Sequence, residues 1–77
     1  MSRTIIEQCV RDSLDAYFQD LDGAQPTDVY DMVVLAVEKP LLEFVLNRAE
    51  GNQSLAADYL GINRNTLRKK LQQHGLL

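Results

Sequence analysis

Four of the chain's eight basic residues lie within seven consecutive positions near the C-terminus. They are Arg64, Arg68, Lys69 and Lys70. Guanidinium and ammonium groups bind phosphate, and arginine also pairs with guanine O6 and N7 in a bidentate geometry. Leu67 and Leu71 are four residues apart and share one helical face, so we expect the basic side chains to point the other way. This spacing indicates a helix whose outer face suits nucleic acid; the alternative is a solvated basic helix in an all-α domain.

Two short helices joined by a tight turn are predicted around this cluster. Asn52 is a suitable N-cap for the first helix, which we expect to continue to Leu60. Gly61 lies where a helix ends in a left-handed conformation, and Asn63 is a suitable N-cap for the second helix. Gly75 is predicted to end that second helix. The pattern is that of a helix-turn-helix with a cationic second helix, as in proteins that read the DNA major groove.

Apolar residues are predicted to hold the two short helices together. The first helix offers Leu55, Ala56, Ala57, Tyr59 and Leu60 for packing. Ile62 is expected to fill the space between the helices, and Leu76 and Leu77 to fold back on the second helix.

The beginning of the second helix is the part of a helix-turn-helix that reaches base edges. We therefore assign Asn63 and Arg64 to base contacts, with Asn63 serving as the cap as well. Phosphate contacts, which position a protein without reading sequence, are assigned to Asn52, Thr66, Arg68 and Lys69.

Charge is strongly segregated along the chain, although its net value of −3 is unfavourable for a nucleic-acid binder. Residues 1–50 contain four basic and ten acidic residues, for a net charge of −6. Residues 51–77 contain four basic residues and Asp58, for a net charge of +3. DNA binding needs a basic face and not a basic average, so we expect the acidic half to face away from the duplex.

The first 50 residues are predicted to form two helices. The first runs from about Thr4 to Leu21, and its apolar face consists of Ile6, Val10, Leu14, Tyr17, Phe18 and Leu21. Cys9 lies on this stripe, so we interpret it as a small core residue, with a contact across a dimer as the alternative. The second helix is predicted from an N-cap at Thr27 to about Ala49, with a kink at Pro40.

The second helix is apolar on nearly every side, which predicts burial on nearly every side. A chain of 77 residues has too few other elements to cover it, so we expect a second copy in a two-fold dimer. A well-packed monomer with some exposed apolar surface is the alternative. The predicted interface consists of Val10, Leu14, Phe18, Val33, Val37, Leu41 and Val45. Two recognition helices related by the two-fold axis would read half-sites about one DNA turn apart, or bend the duplex if they lie closer.

Several functional classes do not match this composition. No apolar run reaches the roughly 20 residues that span a bilayer, and no signal peptide is evident, so we expect a cytoplasmic protein without membrane contact. A single cysteine allows no intrachain disulfide. His74 is the one histidine and is expected to interact with a helix end or solvent. No spacing suggests a metal site, a cofactor, a small-molecule ligand or a catalytic group, so we do not expect an enzyme.

Three segments resemble the Fis family, the small dimeric nucleoid-associated proteins that bend DNA in bacteria. They are residues 40–43 (PLLE), 48–54 (RAEGNQS) and 60–71 (LGINRNTLRKKL). The likeness extends over most of the chain, from about Cys9 to Leu77, and the last segment is shared with the C-terminal domains of NtrC-type activators. The resemblance implies an all-α subunit of four helices in an intertwined two-fold dimer, with residues 1–50 dimerising and residues 51–77 forming the helix-turn-helix.

The resemblance also implies DNA contacts and a preferred target. Asn63 and Arg64 would approach base edges, while Ser54 and Lys70 would join Asn52, Thr66 and Lys69 at phosphates. The preferred site would have an A/T-rich centre with a narrow minor groove. The implied role is that of a transcriptional regulator in the nucleoid.

The sequence departs at several positions from the pattern of Fis proteins from enteric bacteria. The chain begins almost at its first helix, so we expect no N-terminal β-hairpin arm and no stimulation of site-specific inversion. Leu55, Gln72 and Gln73 replace basic residues, and Asn65 replaces a glycine, so we expect weaker DNA affinity. The alternative function is a dimeric adaptor whose acidic half binds RNA polymerase or a recombinase.

Overall fold

The computed structural model describes residues 3–77, and these form four α-helices without a strand. The helices are α1 (Arg3–Asp20), α2 (Val29–Arg48), α3 (Gln53–Leu60) and α4 (Arg64–Gln73). The predicted all-α fold with four helices per chain is therefore confirmed. The chain divides into two compact units, one ending at Val33 and one from Val34 to Leu77, and the boundary falls inside α2.

The first unit contains α1 and the first residues of α2. No residue of α1 is buried; Val10, Leu14 and Tyr17 are half-buried, while Ile5, Ile6 and Phe18 are exposed. The adjacent rings of Tyr17 and Phe18 meet edge to face, with centroids 5.8 Å apart.

Cys9 is exposed, so its prediction as a core residue is wrong for the single chain. An apolar stripe is buried only where another surface covers it, and α1 has no buried residue.

The second helix begins one residue later than predicted. Asp28, not Thr27, lies at the N-cap position, because its carbonyl oxygen accepts the first helical bond from Met32 N–H at 3.0 Å. Asp28 has a φ of +55°, a left-handed conformation that aspartate tolerates better than most residues. From there α2 continues through Pro40 to Arg48. The kink at Pro40 stays a prediction.

A small apolar core lies in the second unit, where α2, α3 and α4 contribute its buried residues. These are Leu42, Ala49, Ala56, Ala57, Leu67 and Leu71. Ile62 and Leu76 pack against this core as predicted, whereas Leu77 is 53% exposed and its prediction is wrong. Tyr59 is 60% exposed and Leu55 is 36% exposed, so the expectation that they pack is wrong. They are four residues apart on one face of α3, and Ala56 and Ala57 occupy the face that meets the core.

Within residues 3–77, three helices end in the same backbone arrangement. A residue with positive φ follows the helix, and the next N–H donates to a carbonyl five residues earlier. The left-handed residues are Glu50, Gly61 and Gly75. The donors Gly51, Ile62 and Leu76 reach the carbonyls of Leu46, Ala57 and Leu71 at 3.0, 3.1 and 2.8 Å. These bonds satisfy carbonyls that a helix end otherwise leaves unpaired, and they fix the direction in which the chain leaves each helix.

Candidate nucleic-acid interface

Two asparagines cap the short helices, as the sequence predicts. Asn52 Oδ1 accepts a hydrogen bond from Leu55 N–H at 3.1 Å, and Asn63 Oδ1 accepts one from Asn65 N–H at 2.7 Å. Both asparagines are exposed. Because each uses its oxygen for the cap, its side-chain NH₂ group remains a donor that can face a ligand.

The turn between α3 and α4 depends on Gly61. Its φ of +72° lies in the left-handed region that glycine adopts without steric cost. The N–H of Gly61 donates to Asp58 O at 3.2 Å, and Ile62 follows with its side chain against the core. Only Asn63 then separates this turn from α4. The prediction of two short helices joined by a tight turn is confirmed.

The outer face of α4 carries its polar and basic side chains. Leu67 and Leu71 are at most 1% exposed and face the core. The exposed residues assigned to DNA on this helix are Arg64, Thr66, Arg68 and Lys69. Arg64, Arg68 and Lys69 form no ion pair with any residue of 3–77, so their charges are free to meet an anion. The predicted separation of apolar and cationic faces holds for these residues.

Lys70 departs from this arrangement. Its Nζ atom donates to Glu38 Oε2 at 2.9 Å, and its side chain is 35% exposed. The prediction that every lysine of this helix points outward is therefore wrong for Lys70. It lies one residue beyond Lys69, about 100° further around the helix, on the side that meets α2.

His74 also differs from expectation, since its side chain is only 7% exposed. Its Nε2 atom lies 2.8 Å from Glu38 Oε1. An ionised carboxylate only accepts hydrogen bonds, so Nε2 carries the proton and donates. The expected interaction with solvent is wrong, because the helix end turns this imidazole toward α2.

Glu38 is the polar residue of this region that sequence reasoning missed. A hydrogen bond from Lys70 holds the pKa of the Glu38 carboxyl below its usual value, and the bond to His74 acts in the same direction. Partial burial acts in the opposite direction, toward a higher pKa, but does not outweigh the two hydrogen bonds. The available signal was a carboxylate in a predominantly apolar helix, but its partners lie 32 and 36 residues away.

The remaining assigned residues are accessible to different degrees. Ser54 is exposed in the first turn of α3. Of the predicted dimer residues, Phe18, Val37 and Leu41 are exposed. The other four, Val10, Leu14, Val33 and Val45, are half-buried.

An open groove of about 520 Å³ lies in the second unit. Its lining includes Phe44 and Tyr59, which are 67% and 60% exposed. The sequence did not single out this groove.

Neither a membrane-spanning helix nor a metal cluster is found in the part of the chain that the structure describes. No helix within 3–77 has both the length and the hydropathy needed to cross a membrane. The same residues contain no group of three or more His, Cys, Asp or Glu side chains that could hold a metal ion.

Comparison with known proteins identifies the family. The family model described as bacterial regulatory protein, Fis family, matches residues 35–74. A protein of Ralstonia nicotianae named Fis-like DNA-binding protein is 73% identical over 77 residues, with both chains covered completely. A protein of the same name from Neisseria meningitidis serogroup B is 61% identical over 94% of this chain and 91% of its own. A protein of Glaesserella parasuis named DNA-binding protein Fis is 45% identical over 96% of this chain and 71% of its own. The chain belongs to the Fis family of bacterial regulatory proteins.

Proposed function

We propose that the protein is a dimeric DNA-binding and DNA-bending regulator of the nucleoid that reads degenerate A/T-centred sites with its helix-turn-helix. The observation that carries this proposal is the outer face of α4, here called the recognition helix. Arg64, Arg68 and Lys69 are exposed on it and form no ion pair within residues 3–77. Family membership and the names of the relatives support the same conclusion.

Base reading is assigned to the first turn of the recognition helix. Arg64 is its first residue and Asn63 its N-cap. In this position a guanidinium can pair bidentately with guanine O6 and N7. The side-chain NH₂ of Asn63 remains a donor to a base edge, because its oxygen already accepts from Asn65 N–H.

Phosphate binding is assigned to residues on both short helices. Asn52 and Ser54 lie at the N-terminus of α3, where unpaired N–H groups and the helix dipole favour an anion. Thr66, Arg68 and Lys69 follow along the exposed face of the recognition helix. Such contacts hold the protein in register without reading sequence.

Exposed apolar side chains of α2 support the two-fold dimer. Val37, Leu41 and Phe44 are 46%, 48% and 67% exposed. Soluble monomers rarely expose a large contiguous apolar surface, and a second copy is the simplest cover for one. A dimer would present two recognition helices to one face of the duplex. If these lie closer than one DNA turn, the duplex must bend, and a deformable A/T-rich centre lowers the cost.

Fluorescence anisotropy with two labelled duplexes tests the proposal. The duplexes share G·C-bounded half-sites and differ only in having an A/T-rich or a G/C-rich centre, and both are titrated at several salt concentrations. We expect salt-sensitive binding that favours the A/T-rich centre. Energy transfer between dyes at the two duplex ends should increase on binding if the DNA bends.

A matched pair of variants assigns the binding surface. Arg68→Gln on the recognition helix should weaken binding to both duplexes, while Arg11→Gln, at an exposed position of α1, should not. No binding at low salt would refute the DNA-binding proposal. Equal effects of the two variants would refute the assigned surface.

A further inference from the structure

A single carboxylate joins α2 to the C-terminal half of the recognition helix. Glu38 uses both of its oxygens: Oε2 accepts from Lys70 and Oε1 from His74, at 2.9 and 2.8 Å. The Glu38 side chain is 15% exposed, so these bonds are partly shielded from solvent. All three residues belong to the unit from Val34 to Leu77.

We propose that Glu38 is a positioning residue for DNA recognition, which orients the recognition helix through Lys70 and His74 and withholds the charge of Lys70 from DNA. This inference rests on the proposed DNA-binding function and deepens it. It also reassigns Lys70, since the sequence placed that residue among the phosphate contacts.

The two partners of Glu38 lie one turn apart on one side of the recognition helix. Residues four positions apart share a face, so Lys70 and His74 approach the same carboxylate together. Two bonds to one fixed point resist rotation of the helix about its axis and sliding along it. Because Arg64 and Arg68 leave the same helix on its outer side, its rotation sets where their guanidinium groups point.

Adjacent lysines therefore have different roles. Lys69 is exposed and forms no ion pair with residues 3–77, whereas Lys70 is half-buried and paired. Moving the Lys70 ammonium to a phosphate would leave the shielded carboxylate with His74 as its remaining partner. Removing one partner of a shielded ion pair is costly, since the other charge stays poorly solvated. Lys70 should therefore remain with Glu38 when DNA binds.

The dependence of DNA affinity on salt concentration measures this difference. The slope of log K against log salt falls in magnitude by about 0.9 for each phosphate that the protein no longer neutralises, which is about 2 for a dimer with one such phosphate per subunit. We expect Lys69→Gln to reduce the slope by about that amount. Lys70→Gln makes the same chemical change one residue later and should leave the slope unchanged. Equal reductions for the two variants would overturn the proposal.

Freeing the Lys70 ammonium from Glu38 should increase the salt dependence of DNA binding, whereas Lys69→Gln should reduce it. In Glu38→Gln the amide carries no charge to hold the ammonium, so Lys70 can reach a phosphate. We expect the slope to become steeper by about 2 for the dimer. The double variant Glu38→Gln/Lys70→Gln should return to the wild-type slope. An unchanged slope in Glu38→Gln would overturn the proposal that Glu38 withholds the charge of Lys70 from DNA. If Glu38 had only a structural role, replacing it would not make the slope steeper.

A measurement without DNA separates this inference from the proposed function. If the wild-type protein does not bind DNA, the proposed function fails, and thermal unfolding then decides whether the link exists. Glu38→Gln and Lys70→Gln should each lower the melting temperature, and the double variant should lower it by less than the sum of the two shifts. Strictly additive shifts would show that Glu38 and Lys70 are not linked.

Discussion

Arg64 is the residue for which base reading can be separated most cleanly from phosphate binding. It is exposed at the first position of the recognition helix and has no carboxylate partner among residues 3–77. Arg64→Ala should cost about 1–3 kcal/mol of binding free energy on the preferred duplex and flatten the preference at one position of each half-site. Anisotropy titrations across duplexes varied at single positions measure this. Equal weakening on all sequences would show that Arg64 binds phosphate.

Glu38 should make the stability of the protein depend on pH in the acid range. Its carboxyl pKa is lowered in the folded chain, chiefly by the hydrogen bond from Lys70. The stabilisation is therefore fully present above the unfolded pKa of about 4.5 and is lost as the pH falls through the lowered folded value. We expect Glu38→Gln to be less stable than the wild type at pH 7, and the difference to shrink below about pH 4.

Urea denaturation at several pH values between 7 and 3 measures this effect. The control is Glu43→Gln, which removes an exposed carboxylate from the same helix. If the difference between wild type and Glu38→Gln stayed constant over the whole range, the ionised carboxylate would not be its source.

At the scale of the helices, Gly61 tests how much the turn depends on local backbone geometry. A Cβ atom added at this position would meet no atom within 4 Å, but φ is +72°. The cost of Gly61→Ala should therefore be conformational, about 1–2 kcal/mol of unfolding free energy. Gly61→Asn should cost less, because asparagine tolerates the left-handed region. Denaturant unfolding of both variants checks this order, and equal losses would indicate a steric cause.

Helix ends were predictable because their signals are local. Asn52, Gly61 and Asn63 each act within three residues of their own position, so the amino-acid type and its neighbours are sufficient. The predicted N-cap of α2 at Thr27 was wrong by one position, because Asp28 adopts the left-handed conformation and occupies the N-cap position.

Predictions that required tertiary contacts were less successful. Lys70 was expected to point outward, and His74 to interact with the helix dipole or solvent, although a carboxylate 32 and 36 residues away lies beside them. Helical periodicity says which residues share a face but not what that face meets. The same limit explains Cys9, which lies on an apolar stripe and is nevertheless exposed.

For the whole molecule, the dimer proposal can be tested at Leu41. It is 48% exposed beside Leu42, which is 2% exposed and belongs to the core. Leu41→Lys would place a charge in the proposed interface, and burying an unpaired charge is strongly unfavourable. Sedimentation equilibrium should therefore show a loss of the two-chain species. Because an obligate dimer need not leave a folded monomer, circular dichroism should show reduced helix content at low protein concentration as well.

The matched control for that experiment is Leu55→Lys, which makes the same chemical change on α3. Leu55 is 36% exposed and lies outside both the predicted interface and the groove lined by Phe44 and Tyr59, so this change adds the same charge at an exposed apolar position. It should leave the mass of the assembly unchanged. A wild-type protein that sediments as one chain at micromolar concentration would refute the dimer directly.

The local hydrogen bonds at the helix ends and the distant bonds to Glu38 should form at different stages of folding. The backbone hydrogen bonds after α2, α3 and α4 each join residues five positions apart, such as Leu46 and Gly51 at the end of α2. Loops this short close quickly and with little loss of chain entropy. The bonds to Glu38 join residues 32 and 36 positions apart, and closing these longer loops costs more entropy and takes longer. The recognition helix should therefore acquire its ends before it acquires its orientation.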